Sequence, residues 1–294
     1  MTQGEKRKLW VGLAFISPWL VGFLVFTVFP VCASMFFSFC DYDVLTKPVW
    51  VGTLNCRDMF TDSVFWKSLY NTLYYAMFSL PLGLVVALII AVLLNQKMHG
   101  RSLFRAVYFL PSLIPVVASA MVWLWILNGN FGILNHLLEW MHIKGPQWIT
   151  DEKWTKPSLI LMSIWGCGNT MVIYLAALQD VPRALYESAE IDGAGAWVKF
   201  YHVTVPMISP VIYFNLIMGI IGSLQVFAQA YIMFGGGGPN RSVLFYVMYL
   251  YQCAFDYHQM GYASAMAWIL FLIILFLTWV ATRTTRRLIH YGGD

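Results

Sequence analysis

Charged residues are scarce in this chain of 294 residues. Asp, Glu, Lys and Arg together make up 11% of it, whereas about 25% is usual in soluble globular domains. Hydrophobic residues make up 60% and aromatic residues 17%. This composition excludes an ordinary soluble protein and predicts an integral membrane protein in a lipid bilayer. The net charge of +4 is small and scattered, so nucleic acid is not predicted as a partner.

Residue patterns for catalysis, metal binding or nucleotide binding are also missing. The five cysteines form neither a CxxC pair nor a zinc-like spacing with histidine, which argues against a metal site and against a disulfide framework. The glycine-rich segment 235–238 is followed by Pro239 and lacks the lysine of a phosphate-binding GxxxxGK[ST] loop. Neither paired carboxylates nor a Ser/His/Asp arrangement is found. The sequence therefore predicts no catalytic residue, no enzyme activity and no cofactor bound by this chain.

Six long apolar segments are present, each long enough to cross a bilayer core, which takes about 20 residues of α-helix. They cover residues 9–39, 68–94, 106–127, 157–179, 207–234 and 262–282. None contains Asp, Glu, Lys, Arg or His, although proton-coupled transport normally depends on such a group at membrane depth. Because the segments lack the alternation of barrel strands, the predicted fold class is an all-α membrane protein with six transmembrane helices.

The distribution of basic residues predicts the orientation. The N-terminal tail, the 95–105 and 180–206 loops and the C-terminal tail hold 11 Lys and Arg in 58 residues, whereas the other three loops hold 7 in 84. Since positive charge favours the cytoplasmic side, both termini are predicted to be cytoplasmic. A seventh apolar segment, 242–255, is too short to span and is predicted to be an interfacial or re-entrant helix on the outer side.

The 180–206 loop between the fourth and fifth predicted spans contains a short amphipathic helix. Asp180 is predicted to cap a helix that begins near Val181, with Pro182 in its first turn. Gly193 and Gly195 would end this helix. Its predicted charged face consists of Arg183, Glu187 and Glu190. From periodicity alone, a helix that merely lies on the membrane surface is an equally good interpretation.

The same loop resembles a known signature. Residues 187–189 (Glu-Ser-Ala), three further residues, Gly193, nine further residues and residues 203–206 (Val-Thr-Val-Pro) are similar to the EAA loop of permease subunits in bacterial binding-protein-dependent ABC importers. A serine replaces the second small residue of EAA, and two valines replace Ile and Leu. Further segments resemble the carbohydrate-uptake subgroup, the relatives of the maltose and glycerol-phosphate permeases: 178–182, 191–194, 236–239 and 261–265.

This resemblance implies a division of labour between subunits. In such importers the EAA loop forms a coupling helix that docks on a cytoplasmic ATPase dimer, and that dimer binds ATP and Mg²⁺. Glu187 would face the ATPase, Ala189 would permit close approach, and Gly193 would form the turn. The other loop residues assigned to this contact are Ser188, Asp192 and Pro206.

Further partners and a location follow from the resemblance. A second permease subunit would complete the pathway, and an extracytoplasmic solute-binding protein would deliver a small-molecule sugar. The resemblance implies a bacterial inner (cytoplasmic) membrane protein. We expect residues 1–67 to form the tail, first helix and first outer loop, and 68–294 to form the core permease domain with the coupling loop 180–206.

The fifth predicted span carries a polar stripe that could contact a sugar. At 100° per residue, several of its amides and small residues fall on one side of the helix. The predicted path residues are Asn215, Ser223, Gln225, Phe227, Gln229 and Tyr231, which combine polar groups with aromatic faces. A helix-packing seam around Gly219 and Gly222 is an equally good interpretation. For a second patch, 166–170 in the fourth span, packing is favoured over a path.

Two functions from different classes remain compatible with the sequence. The first is the membrane-spanning subunit of an ATP-driven sugar importer, which the loop spacing and the missing nucleotide and proton-coupling residues favour. The second is a self-contained facilitator or channel, for which the absence of charge within the spans is no obstacle. Transport by the purified chain without an ATPase would decide for the second.

Overall fold

The computed structural model describes residues 3–96 and 98–285, and the chain is mostly α-helical, as predicted. In chain order the α-helices are α1 (Gln3–Phe23), α2 (Phe29–Phe37), α3 (Leu54–Thr61), α4 (Ser63–Asn95), α5 (Arg101–Leu113), α6 (Val116–Ile126), α7 (Ile133–Trp140), α8 (Glu152–Trp165), α9 (Gly168–Asp180), α10 (Arg183–Ile191), α11 (Ala196–Lys199), α12 (Val205–Leu224), α13 (Ala228–Phe234), α14 (Tyr246–Tyr251) and α15 (Met260–Thr285). The π-helical turns are Leu24–Val28, Phe200–Thr204 and Gln252–Asp256, and a 3₁₀ turn covers Pro239–Arg241. Two short antiparallel strands, β1 (Cys40–Asp41) and β2 (Val49–Trp50), pair Cys40 with Trp50.

The described residues contain between four and six candidate membrane spans. Four helical stretches are long and apolar enough to cross a bilayer: Gln3–Phe37, Ser63–Asn95, Ala196–Phe234 and Met260–Thr285. Two further candidates are bent pairs, α5 with α6 and α8 with α9. These six regions correspond to the six apolar segments of the sequence.

The third predicted segment, 106–127, does not form one straight helix. The axes of α5 and α6 differ by 101°, and the bend lies at Ile114 and Pro115. Ile114 precedes a proline and has extended backbone angles (φ −74°, ψ 129°), because the proline ring disfavours the helical conformation of the residue before it. The 11 residues of α6 span about 16 Å, which is roughly half of a bilayer core.

A milder bend of 43° separates α8 from α9, at Gly166 and Cys167. Directly after it, Gly168 packs against the backbone of α5. A Cβ atom at Gly168 would lie 2.7 Å from the carbonyl oxygen of Tyr108 and 3.1 Å from Cα of Phe109. The absence of a side chain at Gly168 therefore allows the two helices to approach closely.

The chain divides into two compact units, and the first contains the described residues up to Asp62 together with Leu250–Phe271. In this unit Asn55 Nδ2 donates hydrogen bonds to the carbonyl oxygens of Ser38 and Cys40, both at 2.9 Å. The backbone N–H of Gly261 donates to the carbonyl oxygen of Tyr42 at 3.0 Å. These contacts join α15 and α3 to the β1 region.

The second unit contains Ser63–Tyr249 and the described residues from Leu272 onward. Its central element is α4, whose 33 residues extend about 50 Å and which contacts α8, α9 and α12. The buried core where these helices meet consists of Ala87, Ala91, Leu94, Met171, Tyr174, Leu175, Leu178, Val181 and Ile208. Small residues on α4 face larger side chains on α9, so the helices pack closely.

The first part of the apolar segment 242–255 is buried, and its helix begins only at Tyr246. Its position at the outer side, interfacial or re-entrant, stays a prediction. Residues 242–246 are all buried, and the ring of Tyr246 packs edge-on against Phe65 of α4, with ring centroids 5.6 Å apart. Asn71 Nδ2 donates to the carbonyl oxygens of Arg241 and Leu244, and the Tyr246 N–H donates to Thr72 Oγ1 at 2.8 Å. Length and apolarity were insufficient to predict this, because burial depends on the polar side chains that α4 presents.

We expect Gly168→Ala to destabilise the fold, whereas Gly166→Ala, two residues earlier, has little effect. The new methyl group at 168 would overlap backbone atoms of α5, which cannot move aside as a flexible side chain would, at a cost of about 1–3 kcal/mol. At Gly166 the nearest atom is 3.5 Å away, an ordinary contact. Thermal unfolding in mild detergent measures the difference. Equal melting temperatures for the two variants would contradict this packing.

Candidate functional site

The second unit contains an open cavity of about 650 Å³. Its walls come from α4, α6, the break between α8 and α9, α12 and the start of α13. The polar lining residues are Tyr75, Ser79, Ser163, Thr170, Asn215, Ser223, Gln225 and Gln229. Apolar groups and glycines complete the lining. The cavity thus offers hydroxyl and amide groups, and no charged side chain of the described residues contributes to its lining.

Five of the six residues predicted to line a path meet in this cavity. The lining includes Asn215, Ser223, Gln225, Phe227 and Gln229. Tyr231 is not among the lining residues, but its ring stacks on that of Phe227, with centroids 5.2 Å apart. Their role in binding a solute stays a prediction.

The polar stripe of the fifth span lies on two helices, α12 and α13, and the break between them brings its residues to one cavity. Helix α12 ends at Leu224 and α13 begins at Ala228, with Phe227 in a non-helical conformation (φ −143°, ψ −66°). The break turns the residues after α12 so that Gln225, Phe227 and Gln229 all reach the cavity. Helical periodicity alone places Gln225 only at the edge of the stripe.

Both interpretations of the glycines in the fifth span describe part of the structure. A Cβ atom at Gly219 would collide with the Leu80 side chain, so this glycine permits close packing of α12 on α4. A Cβ atom at Gly222 would have no neighbour within 4 Å, and this glycine lines open space. The packing seam and the cavity therefore lie side by side on α12.

Several lining residues were not predicted. Gly166, Cys167 and Thr170 line the cavity, although packing was the favoured interpretation of that patch. Packing also applies in this patch, to Gly168 against α5 and to Cys167, which packs against the hydrophobic core. On α4, Tyr75 and Ser79 also line the cavity and were not predicted. They lie one helical turn apart, so polar residues at i, i+4 spacing are the signal that could have indicated them.

The 180–206 loop forms a helix-turn-helix, and the predicted stop is confirmed at Gly193. Gly195, also predicted to form the stop, has φ of −70° and instead precedes α11. Gly193 adopts a left-handed conformation with φ of +79°. Its N–H donates to the carbonyl oxygen of Glu190 at 3.0 Å, and the Ala194 N–H donates to that of Ala189 at 2.8 Å. This pair of bonds is a Schellman motif, which satisfies the last carbonyls of α10 and reverses the chain.

The start of this helix differs from the prediction. Asp180 is the last residue of α9, and α10 begins at Arg183 with Pro182 at its N-cap. Val181 is extended (φ −67°, ψ 123°), because it precedes a proline. The predicted Asp180 cap is therefore wrong by two residues.

Most residues expected to contact an ATPase lie on the surface of this loop. Glu187, Ser188, Asp192 and Gly193 are exposed, and Ala189 is half-buried. Pro206 is half-buried in the first turn of α12. Glu190 is exposed as well, and its Oε1 pairs with Nζ of Lys199 at 2.6 Å across the turn.

Large apolar side chains are exposed beside these polar groups. Ile191 is 87% exposed, Trp197 76% and Tyr201 62%. The rings of Trp197 and Tyr201 stack, with centroids 6.5 Å apart. An exposed patch of aromatic and aliphatic groups next to carboxylates is typical of a surface that binds another protein.

Comparison with known proteins identifies the class. Residues 79–290 match the family described as "Binding-protein-dependent transport system inner membrane component". The chain is 43% identical over 287 residues to the probable ABC transporter permease protein YesP of Bacillus subtilis (strain 168), covering 95% of this chain and 92% of YesP. It is 33% identical over 276 residues to the lactose transport system permease protein LacF of Rhizobium radiobacter, covering 92% of each.

The fold is also that of a solved transporter subunit. A chain of the bacterial alginate ABC transporter, crystallised with an alginate pentasaccharide-bound periplasmic protein, superposes with a TM-score of 0.85 at 24% identity, covering 98% of both chains. The family match and the related permeases place the chain among membrane-embedded transport subunits. The chain belongs to the family of inner membrane components of binding-protein-dependent transport systems, and it is a permease subunit.

We expect Gly193→Ala to loosen the turn after α10, and Gly195→Ala to leave it unchanged. An alanine in the left-handed conformation costs about 1 kcal/mol, whereas Gly195 has φ of −70°, which any residue adopts. Both glycines have open space around them, so the comparison isolates the backbone effect. Amide hydrogen exchange of residues 189–194 should be about fivefold faster in the first variant only. Equal exchange in both variants would contradict the assigned role of Gly193.

Proposed function

We propose that this chain is the membrane-spanning subunit of an ATP-driven importer of a carbohydrate. The observation that carries this proposal is the exposed α10–α11 helix-turn-helix, whose residues follow the EAA spacing and which leads directly into the helix that lines the cavity. Relatives named for lactose, sulfoquinovosyl glycerol and arabinooligosaccharides support a sugar as the solute. The loop is exposed and can bind another protein, which supports a separate ATPase subunit as the source of energy.

In this proposal the 180–206 loop docks on an ATPase dimer on the cytoplasmic side. Glu187 provides the charged contact, with Ser188 and Asp192 beside it. Ala189 allows close approach, Gly193 forms the turn, and Pro206 starts the following span. The ATPase binds ATP and Mg²⁺, and this chain has no nucleotide site of its own. Exposure of the loop and the aromatic groups next to it support this arrangement.

The cavity is proposed as part of the solute path. Its volume of about 650 Å³ falls within the range of small-molecule sites, which is about 300–1,000 Å³. Amides such as Asn215 and Gln229 can bond sugar hydroxyls, while the stacked rings of Phe227 and Tyr231 offer an apolar face to the C–H groups of a sugar. The lack of charge in the lining suits a neutral, hydroxyl-rich solute.

The remaining parts of the assembly follow from the same proposal. A second permease subunit completes the path, and an extracytoplasmic binding protein delivers the sugar. The chain crosses the inner membrane of a bacterium six times, with both termini in the cytoplasm, and each bent helix pair forms one crossing. Residues 1–67 form an N-terminal part and residues 68–294 the core permease domain.

Variants of the loop test the ATPase contact. We expect Glu187→Lys and Gly193→Pro to remain in the membrane but to lose the ATPase during purification in mild detergent, because one reverses the contact charge and the other breaks the turn. Glu190→Gln is the matched control, since this carboxylate is engaged with Lys199. Sugar uptake should fall with ATPase recovery. Undiminished ATPase recovery in both variants, or transport by the chain without an ATPase, would refute the proposal.

A second test fills the cavity. Gly222→Trp should preserve thermal stability, because its side chain enters open space, and should abolish transport. It should also slow modification of Cys167, which lines the same cavity, by a charged thiol reagent; mass spectrometry of the Cys167 peptide gives the rate. Gly22→Trp, which likewise has open space around it but lies on α1, is the control. Transport at the normal rate in Gly222→Trp would remove this cavity from the path.

A further inference from the structure

A hydrogen bond joins the first helix of the loop to the start of the fifth span. The hydroxyl of Tyr186, on α10, lies 3.0 Å from Oγ1 of Thr204, which is only 6% exposed. Thr204 Oγ1 also lies 3.4 Å from the carbonyl oxygen of Lys199, to which it donates. A threonine hydroxyl has one proton, so Tyr186 is the donor in the first bond.

Thr204 ends a π-helical turn, Phe200–Thr204, which lies between α11 and α12. Such a turn contains one residue more than an α-helical turn, and it is common at functional sites. The carbonyl of Phe200 accepts from the N–H of Val205 as the turn closes. The loop therefore connects to the long helix α12 through the turn Phe200–Thr204, which we call the joint. The Tyr186 side chain is hydrogen-bonded to Thr204, the last residue of the joint.

Tyr186 also connects α10 to the core. Every residue of α10 is at least partly exposed, but the Tyr186 ring packs against the buried core where α4, α9 and α12 meet. Tyr186 and Glu190 are four residues apart and share one helix face, from which Glu190 reaches Lys199. Glu187 lies about 100° away from Tyr186, on a different side of the helix. One side of α10 thus binds the joint while another carries the exposed carboxylate.

A second cavity, of about 200 Å³, adjoins this bond. Its lining residues are Val92, Asn95, Gln96, Leu178, Tyr186, Phe200 and Thr204. Close-packed cores resist displacement because every shift creates overlaps or voids. Open volume beside Tyr186 and Phe200 allows the joint to change its geometry without moving the core helices.

We propose that Tyr186 is a positioning residue, which through its hydrogen bond to Thr204 transmits displacement of α10 to α12 and so to the wall of the larger cavity. Helix α12 carries Asn215 and Ser223, both in that wall. A displacement at Thr204 moves α12 as a rigid element, whereas without the bond the joint absorbs it. This inference rests on the proposed function, because the displacement comes from the ATPase.

Two single variants each remove one hydroxyl with little change in shape: Tyr186→Phe and Thr204→Val. Thr204→Ser keeps the hydroxyl and is the conservative control, and the double variant tests whether both residues act through one bond. The readout is the rate at which a charged thiol reagent modifies Cys167 in inverted membrane vesicles that contain the whole complex. There the reagent and nucleotide reach the cytoplasmic face. ATP hydrolysis and ATPase recovery are measured in parallel.

In vesicles with the unmodified chain and with Thr204→Ser, ATP plus vanadate should slow Cys167 modification about fivefold, as the path closes to the cytoplasm. In Tyr186→Phe, Thr204→Val and the double variant we expect less than a twofold change, with the ATPase still bound and active. A full fivefold response in both single variants, or loss of the ATPase from both, would overturn the positioning role. If the unmodified chain itself shows no response to nucleotide, the proposed transport function fails instead.

Discussion

Backbone groups at membrane depth must be hydrogen-bonded within the protein, because hydrocarbon offers no partners. Irregular backbone is therefore tolerated in such a protein only where it is buried or lines a cavity. Helix breaks at 114–115, 166–167 and 225–227 interrupt the second unit, and residues at or directly after each break line the same cavity. The three helix breaks therefore place residues around the larger cavity.

Helix α4 provides the continuous wall against which these broken helices pack. It supplies Tyr75 and Ser79 to the cavity, small residues such as Ala87 and Ala91 to the core, and Asn71 and Thr72 to the segment that follows the glycine-rich turn after the fifth span. Helix α4 thus contacts the cavity, the core and the segment 241–246, and it holds them in fixed positions relative to one another. The close approach of α12 at Gly219 and the contacts of α9 with α4 leave the cavity as the space between them.

The loop before α12 contrasts with this packed core. Its shape depends on local bonds: the Schellman motif at Gly193, the Glu190–Lys199 ion pair and the Tyr186–Thr204 hydrogen bond. Because the rest of α10 is exposed, its position can respond to a bound protein without disturbing the core. The loop is held together by its own bonds and has few contacts with the core, as expected of an element that moves as a unit.

Predictions that depended on local chemistry were largely confirmed. The membrane class followed from composition, and the stop at Gly193 followed from glycine conformation. Five of the predicted path residues do line one cavity, while their role in transport stays a prediction. The predicted Asp180 cap was wrong because Pro182 disfavours the helical conformation of Val181, which is extended instead. The burial of residues 242–246 was not predicted, because it depends on Asn71 and Thr72, about 170 residues away in the chain.

The amino-acid sequence by itself determined the helical membrane class and the loop signature, because apolar length, charge placement and motif spacing act within short stretches of chain. Only the tertiary structure decided how far the spans bend, which side chains line one cavity and which carboxylate of the loop forms an ion pair. Those features depend on contacts between helices that are distant in sequence, and periodicity along one helix contains no information about the helix that packs against it.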